Sequence, residues 1–223
     1  MTRKHGGIIL GLILIGIGLW FLAYNLGLDL PGISALWPIF PTLGGLALLY
    51  AYLTGREQDA GVLVPGIGGF LVGIFFFAIT LGPLSWGDLE EWWPIFPLIG
   101  GVAFLTMFVL SKPRDAGVLV PGIGGLLVGI FFLLITLGPL RWSEMGSLWP
   151  AFPLIGGLTF FGAWLASRQD VGLLVPAGLG VAVGIVGFVF TLGLLGARVL
   201  TEGWPVLLIL IGLAVVVKSF AGK

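Results

Sequence analysis

DAGVLVPGIGGFLVGIFFFAITLGP, residues 59–83, returns as DAGVLVPGIGGLLVGIFFLLITLGP at residues 115–139, with changes only at 70/126, 77/133 and 78/134. Further out, each apolar block is separated from the next by a Trp-Pro pair: Trp37-Pro38, Trp93-Pro94, Trp149-Pro150 and Trp204-Pro205, at intervals of 56, 56 and 55 residues. The chain is therefore read as a tandem repeat, with units at 6–55, 59–111, 115–167 and 170–219 inside one membrane domain covering 1–223.

Composition fixes the solvent. Hydrophobic residues make up 58% of the chain and charged residues 9%, with a mean hydropathy of +1.17, far outside the soluble range. Reading apolar runs from charge to charge predicts eight helical spans, at about 7–27, 38–54, 60–82, 94–111, 116–138, 150–167, 171–193 and 205–219. At about 1.5 Å per residue the longer runs cross a hydrocarbon core of about 30 Å, and the shorter ones barely do. The expected fold is an all-α integral membrane protein of eight transmembrane helices, arranged as four parallel tandem hairpins in a pseudo-fourfold ring or a curved row. The start, Met1 to His5 ahead of an apolar run, resembles a signal peptide. It lacks a small-residue cleavage site near Ala23-Tyr24, and it matches later helices, so a retained first span is expected.

Charge predicts the orientation. Arg3, Lys4, Arg56, Lys112, Arg114, Arg168, Lys218 and Lys223 fall on one side, against Arg141 and Arg198 on the other. Basic segments stay in the cytoplasm, so both termini are expected there, in a bacterial cytoplasmic membrane on the resemblance given below. Acidic residues lean outward, with Asp29, Asp88, Glu90, Glu91, Glu144 and Glu202 beside the tryptophans Trp37, Trp86, Trp92, Trp93, Trp142, Trp149 and Trp204. Indole settles at the headgroup level, so this end carries an aromatic belt.

Within each unit the same parts recur. Asp59, Asp115 and Asp170 follow an arginine and suit helix N-caps; a cation or phosphate site is the alternative. Pro65, Pro121 and Pro176 are expected to kink the long helices. Gly69 and Gly73, Gly125 and Gly129, and Gly180 and Gly184 lie at helical spacing, with Gly18 alone in the first unit; Gly45, Gly101, Gly157 and Gly212 recur in the short helices. Small residues four apart let backbones approach closely in lipid, so packing is the expected role and room for a permeant the alternative.

Two sets of candidate functional residues follow. Asn25, Thr80, Thr136 and Thr191 occupy one place near the outer end of each unit. They form a polar collar if the hairpins close on one another; otherwise each threonine bonds back to its own helix. The outer loops alternate Trp and Leu with acid, which suits an interfacial anchor or an outer docking face built on Trp86, Asp88, Glu90, Glu91, Trp92, Trp142 and Glu144.

Several chemistries are disfavoured. There are no cysteines, one histidine, and no charged side chain in the expected hydrocarbon region, so disulfides, metal sites, cofactor ligation and ion-coupled pumping lack their groups. Net charge is zero, which gives no reason to expect nucleic acid. No nucleophile and base lie within reach of one another, so no catalysis is expected.

Asn25-Leu26-Gly27 followed by Leu36-Trp37-Pro38, and Trp204-Pro205 opening the apolar run to Gly212, resemble the two-span transmembrane module of LiaI- and LiaF-like bacterial envelope proteins. The resemblance implies a membrane anchor of the kind used by envelope-stress regulators, acting through protein contacts. This chain departs from it in having four modules and no soluble domain. The functional expectation is a multi-pass scaffold or regulator with a membrane or envelope protein partner. The alternatives are a passive channel or carrier for a small neutral or apolar solute, and an accessory subunit of a larger membrane complex.

Overall fold

The computed structural model describes residues 3–28, 30–112 and 114–193, together with Pro205, Ile209, Gly212 and Val216. Asp29, Arg198, Glu202, Trp204, Lys218, Lys223 and most of the expected last span lie outside the described residues. All regular structure among the described residues is helical. In chain order the helices are α1 (Arg3–Asn25), α2 (Ile33–Leu36), α3 (Ile39–Leu53), α4 (Leu63–Thr80), α5 (Leu89–Trp92), α6 (Ile95–Leu110), α7 (Leu119–Thr136), α8 (Met145–Leu148), α9 (Ala151–Ala166) and α10 (Leu174–Thr191).

Each long helix begins the same way. Asp59 accepts from the Gly61 N–H at 2.8 Å, Asp115 from Gly117 at 2.8 Å and Asp170 from Gly172 at 3.1 Å, and a 3-10 turn leads into α4, α7 and α10. Pro65, Pro121 and Pro176 are the third residues of these helices. With the 3-10 turn included, Ala60–Thr80, Ala116–Thr136 and Val171–Thr191 each run as one span through the proline.

Among the described residues four helices are long and apolar enough to cross a membrane: those three and Ile33–Leu53. Trp142–Leu148 and Ala151–Ala166, bent by 63° at the Trp-Pro junction, make a fifth if counted as one span. Eight is therefore not the number that length supports. Taken alone, α6 and α9 have 16 residues each, which at about 1.5 Å per residue falls short of about 30 Å.

Glycine decides the packing. A Cβ on Gly45 would meet the backbone of Phe70 and Gly66; one on Gly101 would lie 2.7 Å from the Leu126 nitrogen; one on Gly157 would meet Val181 and the Ala177 carbonyl. From the other side, a Cβ on Gly69, Gly125 or Gly180 would lie 3.0, 2.7 or 2.6 Å from the carbonyl oxygen of Pro41, Pro97 or Pro153, respectively. These contacts pair α3 with α4, α6 with α7 and α9 with α10. The tightest seams thus join the short helix of one sequence unit to the long helix of the next, across the Arg-Asp turns. Gly18 and Gly212, expected in the same registers, have open space around them.

A second kind of seam, through side chains, joins α4 to α6 and α7 to α9. Phe75 meets Phe96 and Phe131 meets Phe152, each with ring centroids 5.4 Å apart. Ala103, Ala163 and Thr159 are buried in or beside these contacts. Extensive contacts run only between neighbours along the chain, from α3 to α10; none joins α10 back to α3 among the described residues, and α1 packs extensively on no described helix. The described helices form an open row.

Candidate functional site

Two places concentrate side chains other than aliphatic ones: the Trp-rich end of the row and a cleft at the Arg-Asp end. At the Trp end, Trp37 packs on Phe76 and Trp93 on Phe132, both at 4.8 Å, with Trp86 and Trp142 against the same two phenylalanines at 5.9 Å. The Trp-Pro pair sets this geometry. Proline stops the short helix that precedes it and starts the next, and Pro38, Pro94 and Pro150 are the largest fully buried side chains among the described residues. In the fourth unit Gly187 takes the place of Phe132 and lies against Pro150 and Trp149, so Trp149 is left half-exposed.

The expected outer docking face divides in two. Trp86 is 57% and Trp142 54% exposed, and Glu90 and Glu91 are exposed. Asp88 and Glu144, 56 residues apart, instead serve their own loops: Asp88 accepts from the Ser85 N–H at 2.7 Å and hydroxyl at 2.9 Å, and Glu144 from the Arg141 N–H at 2.9 Å. The Ser85 backbone N–H, then its hydroxyl, holds the Asp88 carboxyl below its ordinary value. Trp92 is half-buried on α5, which packs on α7. The face is thus aromatic in its contacts, with Glu90 and Glu91 as its free acids.

The collar residues are each the last residue of a long helix: Asn25 of α1, Thr80 of α4, Thr136 of α7 and Thr191 of α10. They are not brought together. α6 stands between α4 and α7, α9 between α7 and α10, and α1 stands apart. The simple back-bonding alternative holds only for Thr191, whose hydroxyl donates to the Phe188 carbonyl at 3.4 Å. The hydroxyl oxygens of Thr80 and Thr136 are buried without a partner, as is the indole nitrogen of Trp164. The glycines named for packing, Gly69, Gly73, Gly125, Gly129, Gly180 and Gly184, all lie on the tight seams; Gly73, Gly129 and Gly184 face Thr42, Leu98 and Leu154.

Sequence reasoning offered Asp59 and Asp115 as a cation or phosphate site but missed the cleft that they line with residues of α3 and α6. It has a volume of about 440 Å³ and is lined by Tyr52, Gln58, Asp59, Ala60, Met107, Leu110, Ser111, Lys112 and Asp115. The Tyr52 hydroxyl donates to the Leu110 carbonyl at 3.4 Å, bridging α3 to α6. An ammonium, two carboxylates, two hydroxyls and an apolar floor suit a zwitterionic group at the membrane edge, and no acid-base or nucleophilic pairing is assembled. A signal existed in the short basic linker 111–115, but the contribution of Tyr52 depends on tertiary packing. Among the described residues no cluster of three or more potential metal ligands occurs.

Residues 9–108, from α1 through most of α6, match the family model of the LiaF transmembrane domain, so the first half of the chain carries a LiaF-like transmembrane module. Solute carrier family 2, facilitated glucose transporter member 3, from Homo sapiens and from Pongo abelii, is 30% identical over 173 residues, covering 71% of this chain and 34% of the relative. The chain spans about a third of the length of these curated relatives. No solved structure matches it.

Proposed function

We propose that this chain is a multi-pass membrane regulator or scaffold that acts by holding another membrane or envelope protein, without catalysis and without a bound cofactor. The observation that carries this reading is the LiaF-like module at residues 9–108. In the full arrangement we propose, the units are inserted in one sense in a bacterial cytoplasmic membrane with both ends in the cytoplasm. Sorting of arginine and lysine to the Asp-capped turns supports that orientation. Trp86 and Trp142, over half exposed on rigid phenylalanine supports, are suited to contact a partner because they present large area at little cost in side-chain entropy.

The test is recovery from native membranes in mild detergent. The expected result is a stoichiometric protein partner with the native chain that is lost from a Trp86→Ala/Trp142→Ala double variant. Repeated recovery of the protein alone would overturn the reading.

The similarity to a facilitated glucose transporter favours a second reading, passive movement of a small neutral solute. Flux of a labelled sugar into liposomes carrying the purified chain, absent from empty liposomes, would favour it over the first.

A further inference from the structure

The first short helix presents a face that its counterparts have covered. Phe40, Leu43 and Ala47 of α3 stand where α6 has Phe96, Ile99 and Ala103 and α9 has Phe152, Ile155 and Thr159, each set shifted by 56 residues. Positions separated by three and four residues share one side of a helix. On α6 this side is closed by α4: Ile99 is 7% and Ala103 0% exposed, and Phe96 lies between Phe75 and Phe76 at 5.4 and 5.9 Å. On α9 it is closed in part by α7, with Thr159 3% and Phe152 40% exposed. On α3 the same side is open, with Phe40 76% and Leu43 55% exposed and Ala47 exposed.

We infer that this face of α3 is a docking site for a repeat-type long helix, and that its occupant is α1 of the same chain. Three observations select α1. Trp20 and Phe21 lie 55 residues before Phe75 and Phe76, so α1 carries an aromatic pair where α4 carries the pair that grips Phe96. From Asn25 to Ile39 there are 13 intervening residues, against 14 from Thr80 to Ile95 and 14 from Thr136 to Ala151, so the tether reaches as far as those that let α4 and α7 fold back. Finally, α1 has no competing engagement: it packs extensively on no described helix, and Gly11, Gly16 and Gly18 have nothing within 4 Å where a Cβ would stand.

Docked there, α1 covers Phe40 with Trp20-Phe21 and the row gains one more long helix. This rests on the repeat geometry and is independent of whether the chain is a regulator or a carrier.

Cysteine cross-linking tests it directly, because the native chain has no cysteine. Phe21→Cys/Phe40→Cys is placed in liposomes and oxidised beside Phe76→Cys/Phe96→Cys, the equivalent pair on the closed seam. The expected result is an intrachain disulfide in both, read as a shift in electrophoretic mobility of the monomer, with the α1–α3 pair reaching at least half the yield of the reference pair. A disulfide-linked dimer from Phe21→Cys/Phe40→Cys would make a second copy the occupant and overturn the assignment. Failure of that pair alone, with the reference pair formed, would overturn it too.

Discussion

Adjacent glycines in one short helix should respond to the same substitution with opposite signs. Gly101 faces α7, where an added Cβ would stand 2.7 Å from the Leu126 nitrogen and 2.9 Å from the Gly122 carbonyl oxygen; Gly100 has nothing within 4 Å. Ordinary contact starts at 3.4 Å, so Gly101→Ala forces α6 and α7 apart by 3.4 − 2.7, about 0.7 Å. Backbone atoms cannot swing aside as a flexible side chain can. A gap of that size forfeits about a quarter to a half of each dispersion contact, and some tens of atom pairs at about 0.1–0.2 kcal/mol each give a loss of about 2 kcal/mol. Alanine offers about 1 kcal/mol of helix propensity in return, at either position. Gly101→Ala is therefore expected to lose about 1 kcal/mol net, and Gly100→Ala to gain up to about 1 kcal/mol. In lipid no hydrophobic drive between helices masks the difference. Reversible unfolding in mixed micelles, followed by tryptophan fluorescence, reads both. Equal stabilities, or Gly101→Ala as the more stable of the two, would refute the claim that backbone proximity holds the pair together.

Two further outcomes follow from polar groups. The Thr80 and Thr136 hydroxyls are buried without partners, so Thr80→Val and Thr136→Val should leave stability unchanged or raise it by about 1 kcal/mol each, and a comparable loss in the same unfolding assay would reveal a partner. Asp88 has its carboxyl held low, first by the Ser85 N–H and then by its hydroxyl, so its bonded turn contributes stability above the unfolded value and loses it as pH falls through the lower folded one. Trp86 fluorescence should therefore report an acid transition below the ordinary aspartate value of about 3.9; a midpoint at or above it, or no change on Asp88→Asn, would contradict the bond.

The parts of this fold that depend on neighbours in sequence were legible in advance. Asp59, Asp115 and Asp170 cap their helices as the Arg-Asp turns imply, because a cap acts within three residues. Gly69, Gly125 and Gly180 announced close approach through their spacing. Which helix they approach was not legible. A repeat that alternates long and short helices can be cut before either one, and the 56-residue period is the same in both cases. The decision lies in the lengths of the two connections: short linkers such as that from Leu53 to Leu63 hold the glycine seams, while the outer loops leave room for the looser aromatic ones. The collar failed for a related reason. Equivalent positions in a repeat are related by translation along the row, and that alone keeps Thr80 and Thr136 apart unless the row closes.

Among the described helices each extensive seam joins neighbours along the chain, so the row has no angle to satisfy at its ends. Duplication or loss of one module changes its reach across the bilayer plane by one step and leaves the remaining joints untouched, so such a chain can be lengthened or trimmed by recombination without being redesigned.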